Sequence, residues 1–148
     1  MRTMLISFKP NVFEKIYEHR RVFPDEPVKA YIYISRPVQA LAGIIYLENK
    51  TYLSLWKEKY NYDSVAVLRI DEYMKCYKVV MEIQKFQNTN QISLWNIRET
   101  FREFLISQIY YYLDGTELLD YLENNLRPEG EPIVHEFNNI SGELICIH

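Results

Sequence analysis

Tyr31-Ile32-Tyr33-Ile34-Ser35-Arg36-Pro37-Val38-Gln39-Ala40-Leu41-Ala42-Gly43 is the stretch on which the reading of the fold turns. Residues 30–35 alternate, which predicts a strand with Ile32 and Ile34 on one face and Tyr31 and Tyr33 on the other. Arg36-Pro37 breaks it. Gln39 to Leu47 predicts a further strand, and Gly43 inside that strand marks a bulge or a close backbone approach.

Upstream, residues 3–8 (Thr-Met-Leu-Ile-Ser-Phe) predict a short strand that runs into Lys9-Pro10. Proline suits a first helical turn, and Val12, Phe13, Ile16 and Tyr17 recur at helical spacing, with Glu14 and Lys15 on the wetter side. Phe23-Pro24-Asp25-Glu26-Pro27 then reads as a loop. Downstream, Thr51 to Tyr60 predicts a helix capped by Thr51, with Tyr52, Leu55, Trp56 and Tyr60 along one stripe. Asp63 to Met74 leans towards helix, and Tyr77 to Phe86 is a strand. Ser93 caps an amphipathic helix bearing Leu94, Ile97, Phe101, Phe104 and Leu105. Thr116 opens another with Leu118, Leu119, Leu122 and Leu126, closed by Arg127-Pro128-Glu129-Gly130. Residues 133–137 and 144–147 predict closing strands. This order lacks the regular strand–helix alternation of a doubly wound sheet. It predicts an α+β fold, a short-stranded mixed sheet that curls into a barrel with flanking helices.

With 148 residues, 48% of them hydrophobic, the chain has the apolar mass for one domain spanning residues 1–148. The net charge of −3 argues against a general polyanion binder. Residues 1–40, however, carry seven Lys/Arg against four acids, a local +3, while the other residues carry −6. A basic first third beside an acidic remainder suits a localised anion site, with chance unevenness as the plain alternative. Cys76 and Cys146 sit among apolar residues with no Cys or His at ligand spacing, so they read as buried thiols, and neither metal nor cofactor is expected. The apolar run Met4-Leu5-Ile6 is too short for a signal peptide and no stretch spans a membrane, so a cytoplasmic protein with no membrane partner is expected.

Lys9 to Arg21 is the densest run of groups able to meet a ligand. Arg20 and Arg21 offer guanidinium forks to a phosphate, with surface pairing to Glu18, Asp25 or Glu26 as the alternative. Glu18 would orient Arg20 or accept from a base amino group. His19 and His135 lack an identified orienting partner and read as structural. Tyr31 and Tyr33 offer a stacking surface for a base, against plain packing. Trp95 lies off the apolar stripe of its helix and lines up with Arg98 and Arg102. No Gly-rich phosphate loop, nucleophile elbow, His-x-x-x-His or Cys-x-x-Cys is present.

Three of these segments together resemble the ASCH family, a branch of the PUA-like fold. Leu5-Ile6-Ser7-Phe8-Lys9-Pro10 is similar to that family's first strand entering its first helix. Glu18-His19-Arg20 resembles the end of its Gly-x-Lys-x-x-Glu-x-Arg motif, and Tyr31 to Gly43 resembles the hairpin that follows. Counting back from Glu18 puts Lys15 at the motif lysine but Phe13 at the glycine. On a second alignment that turn is deleted and the lysine is absent, which preserves the apolar spacing of Phe13 and Ile16; Glu18 and Arg20 stand on both. The resemblance implies a PUA-like, partly open mixed β-barrel with flanking helices that binds RNA, a nucleotide or a nucleoside. Lys9, Glu18, Arg20, Arg21, Tyr31 and Tyr33 would be its ligand-binding residues. It also leaves open a hydrolase on RNA or a modified nucleoside, with Glu18 as base, either a weak ribonuclease or an amidohydrolase. In the amidohydrolase branch the position of Glu18 holds threonine, which speaks against that chemistry. A third reading is an interaction protein using the acidic C-terminal third.

Overall fold

The computed structural model describes residues 1–8, 26–75, 78–105 and 110–134. Its strands are β1 (Arg2–Phe8), β2 (Val28–Ile34), β3 (Ala40–Tyr52), β4 (Val79–Ser93), β5 (Tyr110–Tyr112) and β6 (Ile133–Val134). Its described helices are α1 (Leu53–Lys59), α2 (Ser64–Met74), α3 (Leu94–Thr100) and α4 (Glu117–Asn125). The six strands form one sheet in the order β5-β1-β2-β3-β4-β6. β1 and β2 run parallel and every other pair antiparallel, so the sheet is mixed. β5 and β6 do not pair among the described residues, so the sheet is open there and not a closed barrel. The predicted helix after Pro10, the strand at 144–147 and both cysteines lie outside the described residues. Among the described residues no helix is long and apolar enough to cross a membrane.

The alternation in β2 sorts two cores onto the two faces of the sheet. Ile32 and Ile34 join Met4, Ile6, Phe8, Ile45 and Ile83 on one face. Tyr31 and Tyr33 join Leu5, Leu41, Ile44 and Ile92 on the other, where Leu94 and Ile97 of α3 and Leu122 of α4 pack over them. The tyrosine face is therefore a second core and not a wet surface. The expected bulge is present at the predicted place. β2 pairs Ile32 with Gly43 but Tyr33 with Leu41, passing over Ala42.

The α1–α2 pair forms a satellite cluster of Leu53, Trp56, Tyr60, Ala66, Ile70, Tyr73 and Val80, in which the Trp56 and Tyr60 rings meet edge to face at 5.5 Å. Asp63 caps α2, its Oδ1 accepting from the amides of Val65 at 2.9 Å and Ala66 at 3.1 Å. Thr51 does not cap α1. It belongs to β3, and Tyr52 stands at the N-cap with no side-chain bond. The stripe shifts accordingly: Leu53 is buried, whereas Tyr52 and Leu55 are exposed. Pairing with β4 holds Thr51 and Tyr52 extended and overrides the capping preference.

Ser93 and Thr116 do cap their helices, accepting from Asn96 N and Leu119 N, each at 3.2 Å. α3 ends at Thr100, so Phe104 is reached by a turn and Leu105, expected on the buried stripe, is exposed. β4 continues past Phe86 through Gln87-Asn88-Thr89-Asn90-Gln91. That run has turn composition, yet Asn88 and Asn90 are bonded to the end of α4 and the chain after it. Asn90 Oδ1 accepts from Arg127 N at 2.6 Å, Asn90 Nδ2 donates to Asn125 O at 3.1 Å, and Glu129 N donates to Asn88 O at 2.9 Å. The end of α4 and the chain after it are thereby fastened to β4.

Candidate functional site

Register across the strands lays out the tyrosine face in rows. Ser7 of β1 pairs with Tyr33 of β2, and Tyr33 with Leu41 of β3. Four residues back along β2, Lys29 pairs with Tyr46 of β3, and Tyr46 with Lys85 of β4. Leu5, Tyr31, Ile44 and Gln87 form the row between them. The face thus has two polar ends, roughly 13 Å apart along the strand, with this row between them.

At the first end, the Ser7 Oγ and the Tyr33 hydroxyl are buried and find no hydrogen-bond partner among the described residues. A buried hydroxyl left unpaired costs about 1–3 kcal/mol. The Tyr33 side chain is only 1% exposed. Burial pushes its hydroxyl above the ordinary tyrosine pKa, and the guanidinium charges of Arg98 and Arg36 pull partly back. Arg36 is exposed in the turn after β2 and joins no ion pair among the described residues. Arg98 is fixed from α3, its Nε donating to Phe104 O at 3.2 Å and its guanidinium lying 6.0 Å from the Trp95 ring centroid. Trp95 itself is 61% exposed. The expected Trp95–Arg98 neighbours are thus real, but Arg102 falls in the turn beyond the helix.

Lys9, Glu18, Arg20 and Arg21, with Lys15 and His19, lie outside the described residues. In sequence they follow Phe8, the residue next to Ser7. Tyr31 and Tyr33 are described, and both rings are buried in the second core. Tyr33 brings a hydroxyl to its end of the face. Tyr31 brings ring surface to a cavity at the other end. Sequence reasoning missed Ser7, Arg36 and Lys29, because only strand register joins them to their neighbours. It also missed Glu82, a buried carboxylate satisfied by Asn49 Nδ2 at 2.6 Å and Gln84 Nε2 at 3.1 Å. No group of three or more His, Cys, Asp or Glu able to hold a metal occurs among the described residues.

Burial raises the Tyr31 and Tyr111 hydroxyls to about 12 each, with Glu123 and then Tyr46 adding to the shift at Tyr31. Below pH 10 both tyrosines stay protonated, folded or unfolded. Above it the unfolded chain loses protons that the folded chain keeps, so unfolding gains. Stability is expected to be flat up to about pH 10 and to fall from there to about pH 12. Urea midpoints across that range check it; a midpoint constant to pH 12 contradicts the burial of these hydroxyls.

No family model and no curated protein matches the chain. Solved structures do. The crystal structure of ASCH from Zymomonas mobilis superimposes with a TM-score of 0.65 at 19% identity, covering 85% of this chain and 96% of that one. Two point mutants of that protein give TM-scores of 0.62 and 0.63 at 20% and 19% identity, covering 83% and 86% of this chain and 96% and 100% of theirs. The chain has an ASCH-like fold.

Proposed function

We propose that the chain is a small RNA- or nucleotide-binding domain whose ligand meets the Ser7–Tyr33 end of the tyrosine face. The observation that carries this reading is the pair of buried hydroxyls on neighbouring strands, without a partner among the described residues, beside Arg36 and Arg98. A polar anionic ligand gives those hydroxyls acceptors and gives the guanidinium groups a counter-charge. Arg20, Arg21 and Lys9 supply further phosphate contacts from the segment that follows β1, and Glu18 accepts from a base amino group. Tyr33 contributes its hydroxyl. The exposed Trp95, beside Arg98, is the aromatic best placed to stack a base. The ASCH-like fold is compatible with this ligand class.

The test is a salt series with a fluorescent single-stranded RNA. Binding is expected to weaken with salt at a slope of roughly one to three phosphates, and to be lost on substituting Arg20→Ala and Arg21→Ala. Binding indifferent to salt, or unaffected by both substitutions, contradicts the proposal.

A further inference from the structure

The opposite end of the same face holds a separate cavity of about 350 Å³ between the β2–β3–β4 surface and the end of α4. Its strand wall carries Lys29, Tyr31, Tyr46 and Lys85, and its helix wall carries Leu122 and Glu123. Lys29 and Lys85 flank Tyr46 in register, two strand spacings apart, or about 10 Å at the backbone. Each ammonium rests on a ring: Lys29 Nζ lies 5.2 Å from the Tyr31 centroid and Lys85 Nζ 4.7 Å from that of Tyr46. Neither lysine joins an ion pair among the described residues. Glu123, the one carboxylate among the described lining residues, lies close enough for its charge to act on Tyr31.

Two ammonium groups held, among the described residues, only by ring contacts are poorly satisfied. A cation on a tyrosine is worth about 0.5–1 kcal/mol at an exposed site, and a charge-assisted hydrogen bond to an anion about 1.5–3 kcal/mol. Two cations and one carboxylate leave the lining with an excess positive charge and with an acceptor away from it. The walls are already fixed, because Gln87 Nε2 reaches Asn88 O at 2.8 Å, Gly130 O at 3.3 Å and Glu129 O at 3.4 Å. The volume lies in the range of small-molecule sites.

We infer that this cavity is a second ligand site, distinct from the Ser7–Tyr33 end, for a phosphorylated small molecule with a hydrogen-bond donor at its far end. Lys29 and Lys85 hold the phosphate across Tyr46, and Glu123 accepts from the donor. The inference stands independently of the function proposed for the first end.

Adenosine monophosphate, with a phosphate and an exocyclic amine, is the probe, and methyl NMR of Ile44, Leu122 and Leu126 is the readout. Its addition is expected to shift those methyls saturably. Combining Lys29→Met with Lys85→Met should weaken the response at least about tenfold, the loss of one charged hydrogen bond. Unmoved methyls of Ile6 and Ile32, on the other face, report that the variant remains folded. Glu123→Gln should weaken adenosine monophosphate and leave ribose 5-phosphate unchanged, and Tyr33→Phe should leave both titrations unchanged. The inference is overturned by methyls that do not move, by an undiminished response in the double-lysine variant, or by ribose 5-phosphate binding as tightly as adenosine monophosphate. Loss of the response in Tyr33→Phe overturns it equally, since the two ends would then be one site.

Discussion

Truncating Leu122 to alanine is expected to lower the stability of the protein by about 2–5 kcal/mol, the range for a fully buried leucine. Leu122 is the most deeply buried residue of α4 and the one whose side chain seals the helix onto the tyrosine face. Its neighbours Leu118 and Leu119 are only partly buried and cannot take over its place. The bonds from Asn90 to Asn125 and Arg127 hold the end of the helix near the sheet, so the cavity left by Leu122 will not collapse fully. That argues for the upper half of the range. A fall in the urea midpoint with unchanged slope reports it. A loss below about 1 kcal/mol would mean that α4 is not a sealing element of this core.

Tyr33→Phe is expected to separate binding from stability. In most buried settings, removing a tyrosine hydroxyl removes a hydrogen bond and destabilises the fold by about 1 kcal/mol. Here the hydroxyl has no partner to lose among the described residues. Its removal is expected to leave stability unchanged or raise it, while RNA affinity falls about tenfold or more because a polar contact to the ligand is gone. Thermal unfolding and RNA titration of the same preparation read both. A destabilised variant with intact affinity would show that the hydroxyl serves the fold, and that the first end of the face is no site.

The parts of the fold that follow from local chemistry were legible in the chain. The alternation of residues 30–35 separated the two cores, Gly43 marked the bulge, and Ser93 and Thr116 announced their helices. What was not legible depends on partners distant in sequence. Gln87 to Gln91 has the composition of a turn but lies in β4, because β3 and the end of α4 use its polar groups. Thr51 looks like a cap but is held in a strand. Tyr110 to Tyr112 carries no strand period of its own and pairs as an edge of β1. That edge is fixed by Asp114, which accepts from Arg2 Nε at 3.0 Å, while the Arg2 guanidinium stacks 3.8 Å from the Tyr112 ring centroid. Burial alone would raise the Asp114 pKa, but the hydrogen bonds from Arg2 and from Thr3 N outweigh it and hold the carboxyl below its usual range.

The candidate site shows the same division. A cluster such as Lys9 to Arg21 is visible because its residues are adjacent in the chain. Ser7 with Tyr33, and Lys29 with Tyr46 and Lys85, become neighbours only through register. The tyrosines were rightly placed together on one face. Their alternation with isoleucine did not reveal that this face is covered by α3 and α4, because each strand shows its period and not what packs over it.

Crosslinking tests the central claim most directly. A single-stranded RNA containing 4-thiouridine would be irradiated with the protein, and the modified peptides mapped by mass. Adducts are expected in the peptides that carry Tyr33 to Arg36 and Trp95 to Arg98, abolished by high salt. Adducts confined to α1 and α2, at the far satellite cluster, would contradict it.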